Sequence, residues 1–363
     1  MIGARHRDRY VQFTDGKIQR KHRPDYWLVL CAALLMLVGM IIVYSVGPQY
    51  ANLQNSAYGS DYSSTYFFFK QLMGISLAVS GFVLLILVPF DYLKKYIFQL
   101  MIIGIGLSFL LFLIGNILHI DAIAQNTLGA YRWFHLGPVN FQPSELLKLA
   151  MTLYMAVFLG KRYQEGKIND LKETVYPAAA LVGFLLFIVV VLQKDMGSGV
   201  AIAAAAASIF MVSTIRMKTL MQIALVGLLF LGLTAVTAPH RLERITTFFG
   251  ASKSASQDDN DYHIKNAMIA LGTGGLTGRG IGKSIQSTGY LPEAINDSIF
   301  AVIGEIFGFA GTVLVVVLFA VLLLRVLRVA EYSPDMTRRL VVAGIFGWLF
   351  AHFFMNIASM IHL

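Results

Sequence analysis

A single cysteine, Cys31, occurs in the 363 residues. It excludes an intramolecular disulfide and any zinc site built on paired thiolates. Charge is the next scarcity. Asp, Glu, Lys and Arg make up 13% of the chain, against roughly 25% in a soluble domain. The eight histidines are scattered, and none forms a His-x-x-x-His pair beside a third ligand. Short alternating strands are missing, which excludes a bacterial outer-membrane barrel. No repeat of solenoid period is present. Once the apolar runs are set aside, only the segment 239–296 exceeds the lower bound of about 50 residues for a soluble domain.

What remains is apolar. Hydrophobic residues make up 57% of the chain, and mean hydropathy is +0.67. Nine runs, at 26–46, 66–89, 96–120, 144–159, 175–192, 198–215, 219–238, 298–324 and 340–360, approach the length that crosses a ~30 Å hydrocarbon core as a helix. The fold class is therefore all-α, a polytopic integral membrane protein. Residues 1–25 form a basic tail, and 26–363 a single transmembrane domain with a long loop at 239–296. The first run is too long for a cleaved signal peptide and lacks a clean small-x-small site after it.

Net charge is +9, which in such a chain reports topology rather than nucleic-acid binding. The tail is rich in Arg and Lys, which places the N-terminus in the cytoplasm. Segment 47–65 has no Lys or Arg, and 121–143 has only Arg132, so both lie outside. Lys94 and Lys95, then Lys161, Arg162, Lys167 and Lys172, then Arg216 and Lys218, then Arg325, Arg328, Arg338 and Arg339 all fall inside. The loop 239–296, the segment 121–143 and the turn 193–197 then share the outer face. Alanines 203–207 with Ala201 let helices approach closely and read as packing.

The outer segments carry the chemistry-bearing residues. Arg132 and Trp133 stand at the membrane interface. Trp133 suits an aromatic belt. Arg132 suits a headgroup contact or a phosphate clamp. Pro143 fits the first turn of the next helix. Glu145 and Lys148 share a helix face, either as a mutual ion pair or as the lining of a polar cavity. Asp195 can cap the helix that follows it or face the same cavity. In the long loop, 252–261 reads as a mobile polar segment and 263–271 as an amphipathic stretch. A glycine cluster at 272–283, with Arg279 and Lys283, could wrap phosphates through backbone N–H groups. It is not a P-loop: its order is one residue short and no strand precedes it. Asp297 stands at the start of an apolar run and Glu305 lies inside it. A carboxylate in that setting is costly unless partnered or used, although Asp297 could simply cap the helix.

Taken in order, four motifs resemble the SEDS family of membrane glycosyltransferases (shape, elongation, division and sporulation). They are Arg132-Trp133 with Gln142-Pro-Ser-Glu-x-x-Lys148, Gln193-Lys-Asp-Met-Gly-Ser198, the glycine run 274–282, and Tyr290-Leu-Pro-Glu-x-x-x-Asp-x-Ile-Phe-Ala-x-Ile-Gly-Glu305. The wording is nearer the FtsW branch than the RodA branch. The resemblance covers nearly all of 26–363. It implies polymerisation of lipid II on the outer face of the bacterial cytoplasmic membrane during cell division, with release of undecaprenyl pyrophosphate. Asp297 matches the family's proposed catalytic aspartate, suited to a general base. Arg132, Lys148, Arg244, Arg279 and Lys283 are candidates to stabilise the leaving pyrophosphate, and Glu145, Asp195, Glu293 and Glu305 to support the cavity. Glu305 stands about 12 Å further along the helix than Asp297, too deep for the same proton. The family further implies a divalent cation, Mg or Mn, and a class B penicillin-binding transpeptidase partner among other division proteins.

The sequence departs from the family pattern in places. Ser298 stands where the family has Phe, Ile306 where it has a second Glu, and His263 where it has Gln. Ten spans are implied and nine are legible, so an absent last helix is an expectation of this reading. A lipid-precursor transporter and a non-catalytic division scaffold are the competing functions. The clustering of motifs on one face disfavours a transporter, whose site belongs near the midplane.

Overall fold

The computed structural model describes residues 11–14, 17–20, 24–120, 123–127, 129–137, 139–236, 257–286, 290–291 and 293–360. Each of the nine apolar runs overlaps a helix among the described residues. These are α1 (Tyr26–Tyr58), α2 (Tyr66–Leu87), α4 (Ile97–Phe112), α5 (Pro143–Gln164), α6 (Tyr176–Leu186), α7 (Met196–Val212), α8 (Met217–Val236), α10 (Ile299–Tyr332) and α11 (Met336–Met360). A short helix, α3 (Phe90–Lys94), precedes α4, and α9 (Gln257–Thr273) lies in the long loop. Six of the helical stretches are long and apolar enough to cross a membrane by length and composition, among the described residues. The chain is a multi-pass membrane protein.

Local chemistry explains several boundaries. The Asp25 carboxylate accepts the Trp27 and Leu28 N–H groups and starts α1. Pro143 occupies the first turn of α5, where its missing N–H is harmless. Asp195 caps α7 through the Ser198 N–H. Helix α1 continues well past its apolar run and carries Pro48 within it. Three π-helical stretches, Leu113–Ile117, Leu171–Val175 and Phe187–Leu192, flank α4 and α6.

The core forms where α5, α6, α7 and α11 meet, around Met151, Met155, Leu185, Ile202 and Ile209. The small residues of α7 act as expected. A Cβ at Gly347 of α11 would strike Ser208 and the Ala204 carbonyl, so these backbones touch.

The structure departs from the sequence reading in four places. First, the chain is not wholly helical. A hairpin pairs β1 (Val11–Thr14) with β2 (Lys17–Arg20) in the basic tail. Segment 121–143, read as a loop, holds a three-stranded antiparallel sheet of β3 (Ala124–Thr127), β4 (Ala130–Leu136) and β5 (Val139–Phe141). Ala124, Tyr131 and Phe134 bury against Leu111, so the sheet is tied to the end of α4 by apolar contact. Second, residues 257–261 of the supposed mobile segment belong to α9.

Third, the glycine cluster is not an open phosphate loop. Helix α10 breaks at Gly308, whose φ is 68°. The cluster fills the break with backbone pairs: Arg279 N–H donates to the Glu305 carbonyl, Gly280 N–H to Ile306, and Phe309 N–H to the Gly275 carbonyl. Non-helical backbone at membrane depth needs such partners. Fourth, Ser298 rather than Asp297 occupies the cap position of α10, and it makes no side-chain cap bond.

Candidate functional site

A cavity of about 620 Å³ opens where the ends of α5, α7, α9 and α11 meet β4 and the turn 293–298. It gathers Arg132, Glu145, Asp195, Glu293 and Asp297, together with His263, His352 and Asn356. Residues more than 200 positions apart in the chain thus converge on one cavity.

Most of the ionisable groups there are already engaged. Gln142 Nε2 donates to Asp195 Oδ2 at 2.7 Å, and Ser198 N–H donates to Oδ1 at 3.0 Å. Asp195 therefore both caps α7 and faces the cavity. Lys148, wholly buried, donates to Glu145 Oε1 at 2.9 Å. Its Nζ is 2.7 Å from His352 Nε2 and 4.6 Å from the Trp348 ring centre. A buried ammonium needs such partners. The ion pair and the cavity readings of Glu145 both hold, because Glu145 pairs with Lys148 and still lines the cavity. Lys148 itself lies beneath the lining.

Glu293, at a left-handed φ of 51°, accepts Asn296 Nδ2 at 2.6 Å and the Tyr50 hydroxyl at 3.4 Å. Its carbonyl accepts the Asn296 and Ser298 N–H groups, closing the turn that presents Asp297. Arg132 donates through Nη2 to the Lys194 carbonyl at 2.8 Å. Its Nε is buried without a hydrogen-bond partner among the described residues. Lys194 Nζ returns a bond to the Gly129 carbonyl at 3.2 Å, so β4 is braced to the turn ahead of α7.

Asp297 differs from its neighbours. It is exposed to the cavity, and its carboxylate meets no side-chain or backbone donor among the described residues. Only its backbone carbonyl is held, by Asn356 Nδ2 at 3.2 Å. Beside it, Ser298 is buried and its hydroxyl lies 2.9 Å from His263 Nε2.

Other sequence candidates fall elsewhere. Arg244 lies outside the described residues. Arg279 Nε donates to the Thr273 carbonyl at 3.4 Å, and exposed Lys283 joins it in the glycine loop, away from the cavity lining. Glu305 is fully buried and accepts Ser284 Oγ at 2.5 Å and the N–H groups of Ile285 at 2.8 Å and Gln286 at 3.3 Å. It acts as an internal clamp on the segment leading to 290–298.

His352, Asn356 and Ser298 were not singled out as site residues from sequence. A histidine within an apolar span was the available signal for His352. No group of three or more His, Cys, Asp or Glu side chains suited to a metal occurs among the described residues.

Comparison with known proteins places this architecture. The FtsW/RodA/SpoVE family model, described as "Cell cycle protein", matches residues 25–363. Stage V sporulation protein E of Bacillus subtilis is 31% identical over 340 residues, covering 93% of this chain and 87% of that protein. The probable peptidoglycan glycosyltransferase FtsW of Saccharophagus degradans is 31% identical over 345 residues, covering 94% and 84%. In fold, the chain is similar to one in a structure of a peptidoglycan synthase complex that coordinates polymerization and crosslinking, with TM-score 0.67 and 22% identity over 93% of this chain and 87% of that one. The rod shape determining protein RodA of Thermus thermophilus gives TM-score 0.59 and 22% identity, covering 92% and 84%. The motifs, the helical architecture and these matches agree: the chain belongs to the FtsW/RodA/SpoVE family.

Proposed function

We propose that this protein is a peptidoglycan glycosyltransferase that polymerises lipid II at the outer face of the bacterial cytoplasmic membrane, with Asp297 as general base. One observation carries the site assignment. Glu145, Asp195 and Glu293 are each held by a donor, whereas the Asp297 carboxylate is open to the cavity.

In the reaction, the 4-hydroxyl oxygen of an acceptor GlcNAc attacks the anomeric carbon of a lipid-linked MurNAc. The bond from that carbon to the pyrophosphate oxygen breaks, and undecaprenyl pyrophosphate leaves with the electron pair. The hydroxyl proton passes to Asp297, which needs an acceptor position within hydrogen-bond reach. Among the described residues, Arg132 brings a guanidinium to the cavity and is suited to the charge developing on the pyrophosphate. Lys148 supports that role indirectly by holding Glu145. Arg279 and Lys283 have no part in this scheme.

A cage of protein ligands for a cation is not formed among the described residues. Mg²⁺ instead commonly binds one or two carboxylates plus substrate phosphates. Glu293, exposed at the cavity, would hold such an ion, which would neutralise pyrophosphate charge.

The N-terminus is cytoplasmic in this reading, and the site of action is the division septum. The likeness to a chain of a polymerising and crosslinking complex supports a class B penicillin-binding transpeptidase as partner, alongside other division proteins. One feature favours a transporter, the break of α10 at Gly308. Its backbone groups pair with the glycine cluster rather than line the cavity, and this argues for a fixed element.

The test is polymerisation of fluorescent lipid II by the purified protein. Asp297→Asn is expected to slow glycan formation by about 100-fold or more. Wild-type rates in that variant would remove Asp297 from the chemistry. Lipid II crossing vesicle membranes without polymerising would support the transporter instead.

A further inference from the structure

The larger of the two cavities described lies at the other end of α10 from Asp297. Its volume is about 860 Å³. Arg325 and Arg328 on the last turns of α10, and Arg338 on the first turn of α11, face Asp25 across it. Residues three apart on a helix share a face, so Arg325 and Arg328 present their side chains together.

The guanidinium groups are weakly engaged. Arg325 Nη1 is 3.6 Å from Asp25 Oδ2 and Arg338 Nε is 3.7 Å from Asp335 Oδ2, beyond hydrogen-bonding distance. Asp25 already accepts the Trp27 and Leu28 N–H groups. Arg328 is exposed and makes no ion pair or hydrogen bond among the described residues. Three five-donor forks therefore border one cavity; Asp25 is the carboxylate in its lining, and Asp335 approaches Arg338 from outside that lining.

The rim indicates where this cavity sits in the bilayer. Tyr332, in the lining, is 68% exposed, and Tyr26 (71%) and Trp27 (57%) directly follow the lining residue Asp25; all three stand at the ends of apolar helices. Exposed aromatic rings at such ends mark the headgroup level. The Arg325 guanidinium lies over the Trp27 ring at 5.7 Å. A free phosphate would satisfy the arginines but make no use of this apolar rim.

We propose that the cavity binds the phosphate headgroup of an anionic phospholipid in the leaflet opposite Asp297. The forks hold the phosphate oxygens, while Tyr332 and Val329 of the lining cover the glycerol and the first acyl carbons. Basic pockets at helix ends recognise anionic headgroups in this way. The inference needs only the multi-pass architecture, and it is independent of polymerase activity and of which end faces the cytoplasm.

The experiment is a lipid titration followed by native mass spectrometry, on full-length protein in neutral detergent. Phosphatidylglycerol and phosphatidylcholine with the same acyl chains are compared, with inorganic phosphate as a third arm. The wild type is expected to prefer phosphatidylglycerol. Arg328→Gln/Arg338→Gln, changed at two exposed positions, is expected to lose roughly thirtyfold in phosphatidylglycerol binding. Arg328→Gln alone, which gives up no described partner, is the check if the double variant fails to fold, and a several-fold loss is expected. Equal phosphatidylglycerol binding by variant and wild type would overturn the proposal. So would phosphate binding as tightly as the lipid, which would make the cavity a soluble-anion site.

Discussion

Lys148 Nζ lies 2.7 Å from His352 Nε2, joining α5 to α11 at the floor of the Asp297 cavity. The Lys148 ammonium donates a hydrogen bond to His352 Nε2, and Glu145 supplies the countercharge. The pair is asymmetric, because Lys148 is wholly buried and the Glu145 side chain is 47% exposed. Glu145→Ala strands a buried cation and should cost about 3 kcal/mol. Lys148→Met removes the cation together with its desolvation penalty and should stay within about 1 kcal/mol of wild type. Thermal unfolding in one detergent compares them, and the reverse order would contradict the role given to the pair.

The glycine cluster makes a second, structural prediction. A Cβ at Gly278 would strike the Ile306 carbonyl and the Gly308 amide, and Gly278 has φ of 82°. Gly280 also has positive φ, 91°, but has open space around a new Cβ. Gly280→Ala should therefore cost only the left-handed penalty, about 1–2 kcal/mol. Gly278→Ala adds overpacking of a further 1–3 kcal/mol, approximately. Denaturation midpoints should separate the two. Equal losses would mean that the cluster is not seated in the α10 break.

The helices were legible because apolar runs and caps are local. Asp25, Pro143 and Asp195 mark their helix starts by chemistry readable within four residues. The site was legible only through the order of its motifs, since Asp297 alone is indistinguishable from a helix cap. The break in α10 escaped notice because it depends on pairing residues 275–280 with 305–310, and no local pattern encodes that match. The sheet at 124–141 escaped for a related reason. Its core pairs, such as Phe134 with Phe141, are held by contact with α4 rather than by strand alternation.

The turn after α5 offers a pH test away from the membrane spans. Asp170 Oδ1 accepts the Glu173 N–H at 3.0 Å and the Lys172 N–H at 2.9 Å. The Glu173 amide contributes most to holding the Asp170 carboxyl below its usual 3.8, with the Lys172 amide and the Lys167 and Arg162 charges adding to it. A depressed folded value means the stabilisation is complete above the unfolded value. It is lost as pH falls through the folded one. The melting-temperature gap between wild type and Asp170→Ala should be widest at neutral pH and close below pH 3.8. A gap that persists unchanged in acid would show that the ionised carboxylate is not the capping species.

Arg132 permits the sharpest separation of chemistry from support. Its Nη2 is tied to the Lys194 carbonyl, which orients the fork, while Nε has no partner among the described residues. If the fork stabilises the leaving pyrophosphate, Arg132→Ala should lower kcat by roughly 100- to 1,000-fold. Arg132→Lys keeps the charge but loses the planar fork, and its kcat should fall in between. KM should change little in either variant, because the charge addressed develops only in the transition state. A purely structural Arg132 behaves differently. Its loss would lower the melting temperature and the active fraction while leaving the turnover of the folded protein intact. Single-turnover rates on lipid II, normalised to folded protein, therefore distinguish the two roles.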